Sequence, residues 1–406
     1  MIAWRRPIAF VNARVAAENG DADAIRFGSR VLAIGERPKR GDVVVDLDGA
    51  IVLPGLVNAH DHLELNHYGR IKYRDRYANV AEWIDDMREQ LPRDPRLIAG
   101  RACALSARLL IGVLKNLLAG VTTVAHHNPF YKELQRGVAV RLVRRYGWAH
   151  SFLLEHEPAG ANGEPGGEVA KRFRSTPSTD PFVVHLAEGV DDRARSELTR
   201  FEALGCLRPN TVLVHGVAID AQGWQRVARS GAGAVWCPAS NQFLFGRTAA
   251  IPAHVASMNG ASRVAIGTDS RLTGARDLLD ELRIAASLGP LNGRALLRMA
   301  TRDAATTLKL NGIGRLTPGA YADLIVIPAR APDPGDSLLR ISRSDILLVA
   351  VGGRPRIASL SLDSVFRARR VRARPLFVDG VMRLADARLA ASIARCPIQE
   401  PGVECV

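Results

Sequence analysis

The stretch "PFVVHLAEGVDDRARSELTRFEALG", residues 181–205, decides the fold. A short apolar run, rich in β-branched residues, ends in His185 and Glu188. An amphipathic stretch with helical spacing follows at once. That is one strand–helix unit with chemistry-bearing side chains at the strand's end. The same unit recurs on both sides of it. "TTVAHHN" (122–128) precedes "FYKELQRGVAVRLVRRYG" (130–147), read as an amphipathic stretch. "TVLVHG" (211–216) precedes "AQGWQRVARSG", "GAVWCPASN" (233–241) follows, and "RVAIGTDS" (263–270) precedes "DLLDELRIAASLG". Repeated strand–helix alternation points to a parallel α/β body over residues 55–317.

The flanks read differently. "IAFVNARV", "RVLAIG" and "DVVVDLDGAIVLPG" (within 7–55) are short β-runs, taken as antiparallel, with Gly and Asp-Gly punctuation. After residue 318, "ADLIVI", "DILLVAVGGR" and "PLFVDGV" return to that pattern. Residues 1–54 and 318–390 are therefore expected to pair into one composite β-domain. Residues 134–181 are too short and loop-like for a regular strand–helix pair, and an irregular unit is expected there. The Gly/Pro stretch "EPAGANGEPGG" (157–167) reads as an exposed loop.

Composition narrows the class. The chain has 406 residues, 47% hydrophobic and 24% charged, an ordinary globular balance with room for a large core. No apolar run reaches the roughly 18–20 residues of a membrane helix, and no leader pattern opens the sequence. Five widely spaced cysteines without a C-x-x-C pair argue against a disulfide framework, and a cytoplasmic setting is expected. The net charge of +14 comes from scattered arginines, and aromatics are only 5%. That leaves no stacking platform for nucleic acid. The expected partner is a small-molecule substrate, with no nucleic acid and no membrane; a homodimer is allowed.

The strand ends carry the chemistry. "LPGLVNAHDHLELN" (53–66) ends its apolar run in His60 and His62. Side chains at i and i+2 of a strand share a face, so both imidazoles can reach one ion while Asp61 points elsewhere. His185 and Asp269 complete an N/O donor set suited to Zn²⁺ or Fe²⁺. A metal in such a set lowers the pKa of a water toward about 7 and so supplies a nucleophile at neutral pH. Glu188 suits a proton shuttle, and His215 can hold the water or polarise the attacked centre. Each residue alone has a plainer reading. H-x-H is ordinarily coincidence, Glu188 a first-turn carboxylate, His215 a core histidine and Asp269 a helix N-cap. Four separate strand ends in order, each with a ligand-type residue, outweigh those readings.

These motifs resemble the amidohydrolase superfamily, in the branch of cytosine deaminase, guanine deaminase and atrazine chlorohydrolase. "VLPGLVNAHDH", "HLAEG", "LVHG", "WCPASN" and "AIGTDS" match in order, and "ATRDAATTLKLNGIGRLTPGAYADLIVI" (300–327) resembles the segment that leaves the barrel. The resemblance implies a distorted TIM (β/α)₈ barrel with a small β-sandwich built from both termini. It implies one metal ion on His60, His62, His185 and Asp269, with Glu188, His215 and Asp269 catalytic. Lys132 and Lys171 end no strand run, so a lysine-bridged binuclear site is not expected. The cofactor expected is one divalent ion, Zn²⁺ ahead of Fe²⁺. The activity implied is hydrolytic deamination of a nitrogen heterocycle. Hydrolysis of another C–N or a C–Cl bond uses the same parts, and a non-catalytic ligand-binding barrel is the alternative of another class. The adjacent His126 and His127 depart from the deaminase pattern; they point to opposite faces, and one is a candidate substrate contact. His67, in the loop after the first strand, is another.

Overall fold

The computed structural model describes residues 6–18, 20–154, 167–251, 253–254 and 263–406. Eight parallel strands form its centre: Leu56–Asp61, Val121–His126, Arg141–Leu142, Gly147–Ser151, Phe182–Leu186, Thr211–His215, Gly233–Trp236 and Val264–Ile266. The first three pair in one sheet and the last five in another. The two sheets meet where the backbone N–H groups of Thr268 and Asp269 both donate to the His60 carbonyl at 3.1 Å. The result is a (β/α)₈ barrel, as the sequence led one to expect.

Alternation along the strands separates inside from outside. Phe182, Val184 and Leu186 pack outward against the helices. Val183 packs inward with Val57, Ala59, Ala125, Val212, Val214, Val235 and Ala265. The inner residues are small or β-branched, which lets the barrel close over a filled core. Gly267 marks a close approach beside the site: a Cβ there would lie 2.8 Å from the His60 Cβ.

The irregular unit lies where expected, but residues 130–147 do not form the amphipathic helix that their pattern suggested. They hold a 3₁₀ turn at Lys132–Leu134, the two-residue third strand, and the start of the fourth. Gly137, with a φ of +77°, breaks the run, and Val138, Val140 and Val143 favour extended backbone. Only residues 143–146 separate the third and fourth strands. So short a link returns the chain to the bottom of the barrel only because the third strand is a stub. The "EPAGANGEPGG" loop lies almost wholly outside the described residues.

A second apolar core unites Ile8, Phe10, Ile25, Phe27 and Val52 with Leu324, Val326, Leu348 and Phe366. Ile51–Pro54 pairs antiparallel with Leu324–Ile327, joining the N- and C-terminal segments in one nine-stranded sheet. That sheet continues beyond residue 390 to Val403–Cys405. Not every flanking pair is antiparallel: Ile8–Val11 runs parallel to Val43–Asp46, and Arg14–Ala17 to Ile51–Pro54. Several other strands lie between these partners in sequence, so the chain has room to return and neither pairing is a tight hairpin. No single helix among the described residues is long and apolar enough to cross a membrane, and no disulfide joins the five cysteines.

Candidate active site

Four strand ends deliver their side chains to one point at the C-terminal mouth. On the first strand the register against the second shifts between Asn58 and Asp61. Asn58 and Asp61 face the helix Leu105–Leu118, where both bond Asn116, while His60 and His62 project into the mouth. His185 follows Val183 on the inner face of the fifth strand. His215 and Asp269 leave their strands in left-handed backbone, with φ of +72° and +51°. Non-glycine residues adopt that conformation at a cost, and here it swings both side chains toward the ion-sized gap. Asp269 caps no helix: Asp277 caps the next one, Leu278–Ser287. Glu188 likewise precedes the N-cap Asp191 of its helix.

The His60 and His185 Nε2 atoms lie 3.2 Å apart. Asp269 Oδ1 lies 3.5 Å from His62 Nε2 and 3.9 Å from His60 Nε2. Donors held about 2.0–2.2 Å from a tetrahedral ion stand roughly 3.3–3.5 Å from each other, which the 3.2 and 3.5 Å separations approach; the ligand atoms form two groups that share His60, one with His62 and Asp269 and one with His185 and His215. The two buried imidazole nitrogens face each other within hydrogen-bond distance. Burial, then the neighbouring imidazoles, push His60 and His185 well below the ordinary histidine range. They are therefore neutral, with lone pairs available. Burial works to raise Asp269, but His62, His215 and the hydroxyls of Ser240 and Thr273 outweigh it and keep the carboxylate ionised. The donor set thus fits a divalent cation.

The shuttle candidates are adjacent. His215 Nε2 lies 3.4 Å from Glu188 Oε1. Burial, then Asp269 and Glu197, raise the Glu188 carboxyl well above its ordinary range. The His215 Nδ1–H donates to Asn241 Oδ1 at 2.8 Å, which leaves its Nε2 lone pair facing Glu188.

His126 and His127 do diverge. The His127 ring joins the cluster, 5.0 Å from His60 and 4.5 Å from His185, with its Nε2–H on the Ala149 carbonyl at 2.7 Å. His126 lies against Glu64 and Tyr131 instead. His67 stands apart from the imidazole cluster, with Nε2 3.1 Å from the Gly100 carbonyl and its ring on Tyr68.

Sequence reasoning missed the supports. Ser240 and Thr273 hydroxyls each donate to Asp269 Oδ2 at 2.8 Å, and the Ser270 N–H donates to Oδ1 at 2.8 Å. The motif "PASN" is visible in the sequence, but its work is visible only in the fold: Ser240 holds Asp269 and Asn241 holds His215. Sequence reasoning also missed Lys115, fully buried in the last turn of the helix Leu105–Leu118. Its Nζ donates to Asn66 Oδ1 at 2.7 Å and to Thr268 Oγ1 and the Asp269 carbonyl at 2.9 Å, and lies 3.4 Å from Asp61 Oδ2. Burial lowers its pKa against the pull of Asp61. An interior lysine in an apolar helical run was a readable signal. Trp148 and His150, which carry no motif, pack beside His127.

A parallel barrel that gathers imidazoles and carboxylates at its C-terminal mouth has the architecture of a metal-dependent hydrolase. Residues 178–358 match the amidohydrolase family profile. The 5-methylthioadenosine/S-adenosylhomocysteine deaminase of Halobacterium salinarum is 30% identical over 367 residues, covering 77% of this chain and 81% of the relative. The enzyme of the same name from Haloquadratum walsbyi is 35% identical over 348 residues, covering 73% and 76%. Among solved structures, zinc-complexed atrazine chlorohydrolase TrzN from Arthrobacter aurescens TC1 superposes with a TM-score of 0.69 at 20% identity, covering 89% of this chain and 99% of that one. The chain belongs to the amidohydrolase family. It is a metal-dependent hydrolase acting on C–N bonds.

Proposed function

We propose that the protein hydrolytically deaminates an aminopurine nucleoside, with one Zn²⁺ held by His60, His62, His185 and Asp269. What supports this is a pair of ligand groups sharing His60, one with His62 and Asp269 and one with His185 and His215, beside Glu188. The relatives named for 5-methylthioadenosine and S-adenosylhomocysteine supply the substrate class. A single ion is favoured because the fourth strand, Gly147–Ser151, carries no lysine to bridge two.

The bound cation supplies Lewis-acid activation of water at neutral pH. The chain's own groups do the proton work. His215, its proton fixed on Nδ1 by Asn241, offers Nε2 to orient the attacking water. Glu188 takes a proton from that water and delivers it to the departing nitrogen. The new C–O bond forms, the exocyclic C–N bond breaks, and the amine leaves as ammonia. Asp269, ionised and triply hydrogen-bonded, also assists in activating the water. His127 is buried against two of the imidazoles, and in this reading it shapes the floor of the pocket rather than touching substrate. We further take residues 55–317 as the catalytic unit, with 1–54 and 318–390 as the composite β-domain.

The test is ammonia release from a panel of adenine nucleosides, free aminopurines, cytosine and aminotriazines. Turnover of the adenine nucleosides well above the others supports the reading. Turnover confined to cytosine or an aminotriazine contradicts the substrate class.

A further inference from the structure

The mechanism makes no use of a buried charge group centred on Glu400. Glu400, with its carboxylate fully buried, accepts from Arg271 Nη1 at 2.8 Å and Nη2 at 2.7 Å, and from Arg343 Nη1 at 2.7 Å. It lies 129 residues from Arg271 in sequence, beyond the barrel. Arg271 is the second residue after Asp269. Its backbone N–H donates to Asn66 Oδ1 at 3.0 Å, and its Nε–H donates to the Arg276 carbonyl at 2.7 Å, which closes the loop 270–276 on itself. Arg276 ties the far end of that loop to Asp379 at 2.5 Å and to the Pro401 carbonyl at 3.3 Å. Both ends of the loop are thus fastened to the segment around Glu400. This loop supplies the Ser270 N–H and the Thr273 hydroxyl that hold the Asp269 carboxylate.

We infer that Glu400 is a positioning residue for Asp269, acting through Arg271 and the loop 270–276. The inference rests on the reading of Asp269 as a metal ligand. Asp269 sits in left-handed backbone, so its aim is set by the path of the loop 270–276 immediately after it. A bidentate Arg–carboxylate pair in a buried setting fixes direction as well as distance. Asn66 extends the fastening to the first strand, since its Nδ2–H donates to Asp61 Oδ1 at 2.7 Å and to the His62 carbonyl at 3.1 Å. One buried carboxylate therefore braces the loops on both sides of the metal-binding point.

The experiment is a Zn²⁺ titration against a chromophoric chelator on metal-stripped wild type, E400Q, R276M, T273V, E400Q/T273V and D269N. Kinetics with the best nucleoside and circular dichroism run alongside. Loss of a group that orients a metal ligand weakens affinity by about 10–100-fold. Folded E400Q is expected to bind Zn²⁺ at least tenfold more weakly and to lose kcat more than KM. Its effect and that of T273V should be non-additive, because both act on one carboxylate. A merely structural Glu400 would lower the unfolding midpoint and leave zinc affinity and kcat of the folded protein unchanged; that result overturns the inference. Should E400Q fail to fold, R276M decides. Its side chain is 41% exposed, and a roughly threefold loss of zinc affinity supports the inference while none refutes it. Failure of the underlying reading looks different: wild type would bind no Zn²⁺, or D269N would bind as tightly as wild type.

Discussion

Replacing Lys115 by Met should cost about 3 kcal/mol of folding stability. The side chain is fully buried in the helix Leu105–Leu118, and Met fills nearly the same volume, so packing changes little. What is lost is a charge. Removing one partner of a buried ion pair costs about 3–5 kcal/mol, because the other charge stays buried. Asp61 keeps amide donors from Asn66 at 2.7 Å, Asn116 at 2.7 Å and Asn58 at 3.1 Å, which places the cost at the low end. In equilibrium terms about 3 kcal/mol is a factor of roughly 150. The double variant K115M/D61N removes both charges and should recover about 1–2 kcal/mol of the loss. Urea unfolding at pH 7 on metal-stripped protein measures both, since bound metal would otherwise add its own stabilisation. If K115M falls within about 1 kcal/mol of wild type, or the double variant is no more stable than the single, the paired-charge account of this network is wrong.

Further outcomes rest on the same geometry. Glu188→Gln should retain the metal and lose about 10²–10⁴-fold in kcat, read by elemental analysis and steady-state ammonia release. Asn241→Ala removes the acceptor that fixes the His215 proton on Nδ1; kcat should fall about 10–100-fold with the metal retained. Glu197 and Glu281, buried with carboxyls raised to about 8, bind protons in the folded state that the unfolded chain has released. Stability conferred by the neutral form is thus present below the unfolded value near 4.5 and is lost as pH rises toward 8. The buried neutral histidines contribute the opposite slope to every variant, so the comparison decides: between pH 5 and pH 8 the unfolding free energy of E197Q/E281Q should rise relative to that of wild type.

The sequence revealed the barrel wherever each strand kept its period of two and each helix its amphipathic face. Val183 in, Val184 out and His185 in can be read directly from "FVVHL". It misled at 130–147, where a helix-like spacing of apolar residues lay over β-branched valines and a glycine in left-handed backbone. Tertiary pairing with the second strand decided that segment. Side chains now gathered at the mouth were legible because they end apolar runs. Their supports were not. Ser240 and Asn241 lie in a helix rather than at a strand end, and Thr273, Arg271 and Glu400 become neighbours only through loops and long-range contacts. Lys115 was legible as a lysine inside an apolar run, but its partners Asn66, Thr268 and Asp269 were not.

Elemental analysis of protein purified without chelator, repeated on H60A/H62A and D269N, reads how many metal ions the chain holds and which side chains hold them. The account predicts about one zinc per chain in wild type and little or none in either variant, with deamination lost in parallel. Two metal ions per wild-type chain, or full zinc content in the variants, would contradict it.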